Sequence, residues 1–446
     1  MSITKYISGF AIIITILISF LLANCSSEDS SSTAGSSLQF TLNENALPII
    51  NRSGRGDLLS AYGVADFNND GFNDIIFGSP YVPWVDQSTE ITVLLNNGSG
   101  HFIDSTSTFI SGSIPGLNHD RKYRVADFNG DGLPDLFLGG HGYDVAPFPG
   151  EANALLLSQN GLLENKSENL NTTDKGFTHA AAIGDIDSDG DIDIIVPELF
   201  VGAGSDAAKN ATLYVLINDG SGNFTSHEDL GQIEYPYTSA ELADLNNDGF
   251  LDLVLGMSSK DSLNSIVLWN NGSGDFSQAG PYSTSALPTI SGIDQVNDIE
   301  VMDINSDGFK DLLLAAQTEG LAEGPRAIQV LINDQSGNFS DMTSEYMPEL
   351  SSGHYVDKMT PADIDNDGDL DIIGSYDIYI EGETAFVWLN DGSGHFTIAS
   401  SGIFHLKGGM VPIDADNDGD IDLAVIGWEL CPELNSCGLL INKTVP

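Results

Sequence analysis

The sequence predicts an all-β chain folded as a seven-bladed β-propeller of four-stranded antiparallel blades. Three observations predict it. A nine-residue acidic loop, Asp-x-Asn/Asp-x-Asp-Gly-x-x-Asp, occurs seven times, starting at Asp66, Asp127, Asp185, Asp244, Asp303, Asp363 and Asp414. The starts lie 61, 58, 59, 59, 60 and 51 residues apart, a period that suits one supersecondary unit per repeat. A second signature follows most loops, written first as Val93-Leu-Leu-Asn-Asn-Gly-Ser-Gly-His-Phe102. It recurs from Val215 to Phe224, Val267 to Phe276, Val330 to Phe339 and Val387 to Phe396, and in decayed form from Leu155 to Leu162.

The elements of one unit follow in order. Strand A leads into the acidic loop. A short apolar run follows, such as Asp74-Ile-Ile-Phe77, and reads as a buried strand B. A loop of variable length comes next. Strand C is the apolar run of the second signature, and Asn-Asn-Gly-Ser-Gly is the hairpin turn into strand D. Such a meander, repeated around an axis, makes a propeller. The last unit stops at strand C, Gly438 to Asn442. Leu38-Gln-Phe-Thr-Leu42 reads as a strand D without a blade of its own. It is expected to complete the seventh blade and close the ring.

The loop is built for a hard cation. Calcium takes six to eight oxygen ligands at roughly 2.3–2.6 Å. Loop positions 1, 3, 5 and 9 offer side-chain oxygens, and position 7 a backbone carbonyl. The candidate ligands of the first two copies are Asp66, Asn68, Asp70, Asp74 and Asp127, Asn129, Asp131, Asp135. The next two offer Asp185, Asp187, Asp189, Asp193 and Asp244, Asn246, Asp248, Asp252. The last three offer Asp303, Asn305, Asp307, Asp311, then Asp363, Asp365, Asp367, Asp371, then Asp414, Asp416, Asp418, Asp422. Up to seven Ca2+ are expected, bound more tightly where position 3 is Asp. Glycine stands at position 6 in every copy, as a backbone angle costly for other residues would require. An EF-hand is excluded, because it needs a bidentate Glu at position 12, and Phe77, Leu138, Val196, Leu255, Leu314, Gly374 and Val425 stand there.

These loops and their spacing resemble the FG-GAP/VCBS repeats of bacterial surface proteins, which are related to the propeller of integrin α subunits. The resemblance covers nearly everything from residue 38 onward, with Phe77-Gly78 as a trace of the family's Phe-Gly signature. It implies that the A–B loop holds calcium and that the ring is a binding or adhesion module.

The formal net charge is −50, yet 41% of residues are hydrophobic, so a packed core is attainable. Of the 65 acidic residues, 27 lie inside the seven loops. Seven bound Ca2+ would bring the charge to about −36. So acidic a chain is not a nucleic-acid binder, which would need basic patches. Residues 1–24 have the form of a signal peptide, with Lys5 ahead of an apolar stretch. Leu22-Ala23-Asn24-Cys25 resembles a bacterial lipobox, which implies lipid on Cys25. Residues 25–37 are a Ser-rich tether, and residues 38–446 the propeller. Cys431 and Cys437 are close enough in sequence for a disulfide in an oxidising compartment. The expectation is an exported monomer, lipid-anchored at the outer membrane or cell surface.

Strand parity places the A–B and C–D turns on one face. The D–A and B–C loops lie on the other, where variable loops concentrate function. Eight of the chain's 15 Lys and Arg fall in segments before strand A: Arg52, Arg55, Arg121, Lys122, Arg124, Lys175, Lys358 and Lys407. Arg121, Lys122, Arg124, His141, Tyr143, Trp84 and Trp428 are therefore candidate ligand-binding residues, suited to an extracellular acidic glycan or a surface protein. The competing reading is that these cations satisfy local acids. A polysaccharide lyase using His141, Tyr143, His179 and Arg124 is a second class, and a pure protein-interaction scaffold a third. No catalytic residue is assigned, since no nucleophile elbow, zinc motif or phosphate loop occurs. Arg55-Gly56-Asp57 reads as an ordinary turn.

Overall fold

Each acidic loop joins two antiparallel strands in the computed structural model, and each such pair widens to a four-stranded sheet. The structure describes residues 38–444 apart from 49, 51–58, 81–84, 144, 146–148, 172–174, 202–211, 228–236, 259–263, 275–283, 290–294, 318–325, 348–355, 357, 376–385, 400–408 and 427–437. Among the described residues, no helix is long and apolar enough to cross a membrane.

Blade 1 runs through Ala61–Ala65, Asp74–Gly78, Thr92–Asn96 and Phe102–Asp104 as strands A to D, paired in that order. The A strands of blades 2 and 3 are Asp120–Ala126 and Gly176–Thr178 continued by Ala182–Gly184. Those of blades 4, 5 and 6 are Tyr237–Ala243, Gln295–Met302 and Lys358–Ala362. Blade 7 comprises Gly409–Ile413, Asp422–Ile426 and Leu439–Asn442. Its fourth strand is Phe40–Asn43, antiparallel to the last, with Phe40 opposite Asn442 and Asn43 opposite Leu439. The ring is thus closed by the first described strand, as the unpaired D-like segment predicts.

Two additions were not legible beforehand. Ile110–Ser111 pairs parallel with Leu162–Asn165 as a fifth strand of blade 2. Thr89–Glu90 pairs with Gly116–Leu117 as a separate two-stranded ribbon.

The core lies between blades. Seven apolar clusters of buried residues each join two neighbours. Ile75 and Phe77 of blade 1 pack on Val411 and Ile413 of blade 7, and Ile373 of blade 6 on Leu423 and Val425. Each fully buried Leu or Ile contributes about 1.5–3 kcal/mol. A blade alone would leave these faces wet, so the unit of stability is the pair of blades.

A polar staple accompanies each interface but one. The Asn that ends strand C donates its side-chain amide to a backbone carbonyl in the acidic loop of the preceding blade. The pairs are Asn96 to Ala415 at 2.9 Å, Asn218 to Phe128 at 2.8 Å and Asn270 to Ile186 at 2.9 Å. Asn333 reaches Leu245 at 2.7 Å, Asn390 reaches Ile304 at 3.1 Å and Asn442 reaches Ile364 at 2.9 Å. Blade 2 has Ser158 at this place, with no amide to reach blade 1.

Strand A faces the axis, and its side chains meet across it. Lys122 Nζ of blade 2 lies 2.8 Å from Asp298 Oδ1 of blade 5 and 3.6 Å from Glu241 of blade 4. Arg124 pairs with Glu241 and donates through Nε to the Ala181 carbonyl at 2.5 Å. Asp298 Oδ2 also accepts the amide of Met359 in blade 6 at 2.8 Å. Pairs between non-adjacent blades can only pass through the middle of the ring. Burial and neighbouring Asp298 push Glu300 well above the usual carboxylate range. Burial works against the charge on Lys122, but Asp298 and the other carboxylates overcome it and raise its pKa.

Asn333→Ala removes a buried amide from two carbonyls, those of Leu245 and Lys310. It is expected to lower unfolding free energy by about 1–3 kcal/mol. Asn338→Ala, an exposed change in the same blade, should stay within about 0.5 kcal/mol. Denaturant unfolding of both variants checks this.

Candidate metal centres

The acidic loop is held open by its own backbone amides. In the first copy Asp66 accepts from the amides of Asp70 at 2.9 Å and Gly71 at 2.8 Å. Asn68 Oδ1 accepts from Asp70 at 2.9 Å, and Asp70 Oδ1 from Phe72 at 3.0 Å. The chain must turn sharply twice to allow this. Position 6 glycine has φ 93° at Gly71 and 98° at Gly190, and a Cβ there would meet nothing, so the constraint is the angle and not space. Position 4 is also left-handed, at Asn69, Ser188, Asn247, Ser306, Asn366, Asn417 and Gly130. Sequence reasoning missed this second turn. The signal was present, since only Asn, Ser or Gly occurs there.

Position 9 differs from the others. Asp74, Asp135, Asp193, Asp252, Asp311, Asp371 and Asp422 are all fully buried. One oxygen accepts from the amide of loop position 2, as in Phe67 to Asp74 at 3.1 Å. The other accepts from the residue that ends strand C, as in Asn96 to Asp74 at 2.8 Å. Ser158 makes that bond to Asp135 in blade 2. Burial pushes these carboxyls up, to about 7 at Asp74, Asp193, Asp252 and Asp371 and about 6 at Asp135, Asp311 and Asp422. The two amides and, in each case, the acids of the same loop pull in opposite directions on that shift.

The residues present fit calcium. The donors are hard oxygens throughout, the type that ion selects. Positions 1, 3 and 9 converge within 4.8 Å of one another at Asp185, Asp187, Asp193, at Asp363, Asp365, Asp371 and at Asp414, Asp416, Asp422. These are the three copies with Asp at position 3. Asp187 Oδ1, Asp414 Oδ1 and Asp416 Oδ1 are buried without a hydrogen-bond partner, a costly state that a cation would relieve. Calcium there would neutralise the clustered carboxylates. In the last copy Lys443 Nζ stands 3.3 Å from Asp418 and 3.6 Å from Asp416, so this loop carries a competing cation of its own.

The other described candidates divide between the ring's centre and the opposite face. Lys122 and Arg124 point into the ring's centre and face Glu241 and Asp298. Arg121 sits between Asp120 and Lys122 in the same strand. His141 directly follows strand B of blade 2 and is buried, and Tyr143 is half-buried two residues on. His141 is brought against His179 of blade 3, which the sequence had placed with it only as a possible acid–base set. Trp84, Trp428, Cys25, Cys431 and Cys437 lie outside the described residues.

With this geometry in hand, the comparisons with known proteins are specific. The family model for the FG-GAP-like repeat matches residues 66–138, 127–196, 197–255 and 303–374. Integrin alpha-7 of Mus musculus is 31% identical over 154 residues, which is 32% of this chain and 12% of that protein. Integrin alpha-3 of Mus musculus is 28% identical over 156 residues, 33% of this chain and 14% of that protein. The chain therefore spans a small part of the length of the curated relatives it matches.

Three outcomes follow from the loops. Chelation should lower the melting temperature, since a site at 100 times its Kd adds about 2.7 kcal/mol to folding. In the metal-free protein the position 9 carboxyls bind protons more tightly folded than unfolded. Between pH 4 and 7 the folded state therefore holds more protons, and stability should fall as pH rises through that window. Calcium should reverse the trend, with its gain larger at pH 7.5 than at pH 5; thermal melts at both values, with calcium and with EDTA, read this. Lys443→Met should tighten calcium at the last loop by up to about fivefold, measured by calorimetric titration.

Proposed function

Because the chain belongs to the FG-GAP-like repeat family, we propose that it is a calcium-stabilised binding module of the adhesion type, working outside the cell. The seven acidic loops serve as scaffold. The face opposite them, carrying the D–A and B–C loops, takes the partner. We further propose export, with residues 25–37 tethering the ring to a membrane through lipid on Cys25.

The partner is a protein before it is an acidic glycan. The observation that carries this choice is the ion network at the ring's centre. Lys122 and Arg124, two of the cations the sequence offered to an acidic ligand, are committed to Asp298 and Glu241 at the axis, which weakens the polyanion reading. The integrin alpha relatives favour the same choice as cell-surface proteins. A lyase reading would need Arg124 free beside His141 and Tyr143, and Arg124 is engaged elsewhere.

Binding of the calcium-loaded protein to immobilised cell-surface proteins and to a panel of acidic polysaccharides tests this. Saturable binding to a protein, lost in EDTA and unaffected by competing polysaccharide, is the expected result. Binding to an acidic polysaccharide alone, lost when Arg121 and Lys175 become Ala, would replace the protein reading with the glycan one.

A further inference from the structure

The second acidic loop departs from the other six at position 9. In those six the carboxylate accepts two hydrogen bonds among the described residues, one from loop position 2 and one from the end of strand C. Asp74 accepts from Phe67 and Asn96, and Asp371 from Ile364 and Asn390. Asp193, Asp252, Asp311 and Asp422 do the same. Asp135 accepts five. The backbone amides of Phe128 and Asn129 donate to Oδ2 at 2.8 and 3.1 Å. The amide of Ser158, its hydroxyl and the side-chain amide of Asn129 donate to Oδ1 at 2.5, 2.7 and 3.2 Å. An ionised carboxylate has about four lone-pair sites. Two donors leave room for a cation, and five do not.

The cause is one residue. Strand C ends in Asn in the other six blades and in Ser158 here. The short hydroxyl turns back into its own loop, where it stands 2.7 Å from Asp135 Oδ1 and 3.1 Å from Asp131 Oδ1, at positions 9 and 5. Asn129 completes the arrangement. Its Oδ1 accepts from the Asp131 amide at 2.9 Å, which fixes the orientation of the side chain. Its nitrogen is thereby set toward Asp135 and the Ser158 carbonyl, 3.1 Å away. In blade 1 the nitrogen of Asn68 turns instead to Asp70, at 3.0 Å. Protein hydrogens thus stand against the carboxylate that a cation would meet in the other loops.

Blade 2 is also tied to its neighbours by contacts outside the acidic loops. The ribbon of Thr89–Glu90 and Gly116–Leu117 joins it to blade 1. Ser60 Oγ donates to the Asp120 carbonyl at 2.7 Å, and the side-chain amide of Asn118 to Asp86 at 2.9 Å. Toward blade 3, Glu151 and Gly176 exchange backbone hydrogen bonds at 3.0 and 3.2 Å.

We propose that the second loop is the ring's calcium-independent member. Ser158 and Asn129 hold Asp135 in the way that the other loops leave to an ion. The chain then takes up at most six ions across its seven loops, and blade 2 keeps its fold when calcium is withdrawn. The inference rests on the calcium reading of the other six loops. Calcium would tune the rest of the ring around a fixed blade.

Calcium uptake of the full-length chain is counted by equilibrium dialysis, beside Asp131→Ala and Asp189→Ala. Both variants replace an exposed position 5 aspartate, in loops 2 and 3. Asp131→Ala is expected to bind as many ions as the wild type, and Asp189→Ala one fewer. Hydrogen exchange of the wild type in EDTA gives a second reading. The amide of Phe128, held by Asp135, should stay as slow as in calcium. The amide of Ile186, held by Asp193, should exchange roughly tenfold faster or more. Loss of an ion in Asp131→Ala, or a Phe128 amide that opens in EDTA together with Ile186, would overturn the proposal. An unchanged count in Asp189→Ala would overturn the calcium reading itself, and this inference with it.

Discussion

Seven aspartates, each at the ninth place of an acidic loop, are buried between two backbone amides, one from their own loop and one from the end of strand C. Burying a carboxylate is costly unless it is hydrogen-bonded or paired. Two amides offset part of the cost, and the raised pKa records what remains. The residue whose amide holds the aspartate, at loop position 2, offers its carbonyl to the Asn of the following blade. Ile304 shows both bonds: its amide donates to Asp311, and its carbonyl accepts from Asn390. Loop, strand C and neighbouring blade are therefore one polar chain, repeated at every interface but that of blades 1 and 2. A cation in the loop would act on that chain directly and so would couple metal binding to ring stability.

The acidic composition becomes intelligible in these terms. Carboxylates are collected into loops that a dication can neutralise, and the few cations are spent elsewhere. Lys122 and Arg124 draw blades 2, 3, 4 and 5 together at the axis. Replacing either would leave buried acids uncompensated, a heavier loss than the pair's own attraction.

Much of this was legible in the sequence. The period of the acidic loops gave the blade count, and the D-like character of Phe40–Asn43 gave the closure. Both are local patterns repeated often enough to be unambiguous. The staple was not legible, although its residues were in plain view. Asn96 and its counterparts read as hairpin residues, because Asn before Gly has a turn explanation that hides a second role. The cationic cluster of blade 2 was found as a pattern, but its direction was not. Lys122 and Arg124 share one side of strand A by the period of two, and only the arrangement of blades shows that this side faces the axis. His141 and His179 lie in separate segments, and the sequence joined them only as members of an acid–base set.

The central claim is that a position 9 aspartate holds more than its own blade. Hydrogen exchange in Asp311→Ala, compared with the calcium-loaded wild type, tests it most directly. The account predicts lost protection in blade 5, Ile304 included, and also in the acidic loop of blade 4, around Leu245, which Asn333 joins to Asp311. Deprotection confined to the strands of blade 5, with Leu245 as slow to exchange as before, would contradict it.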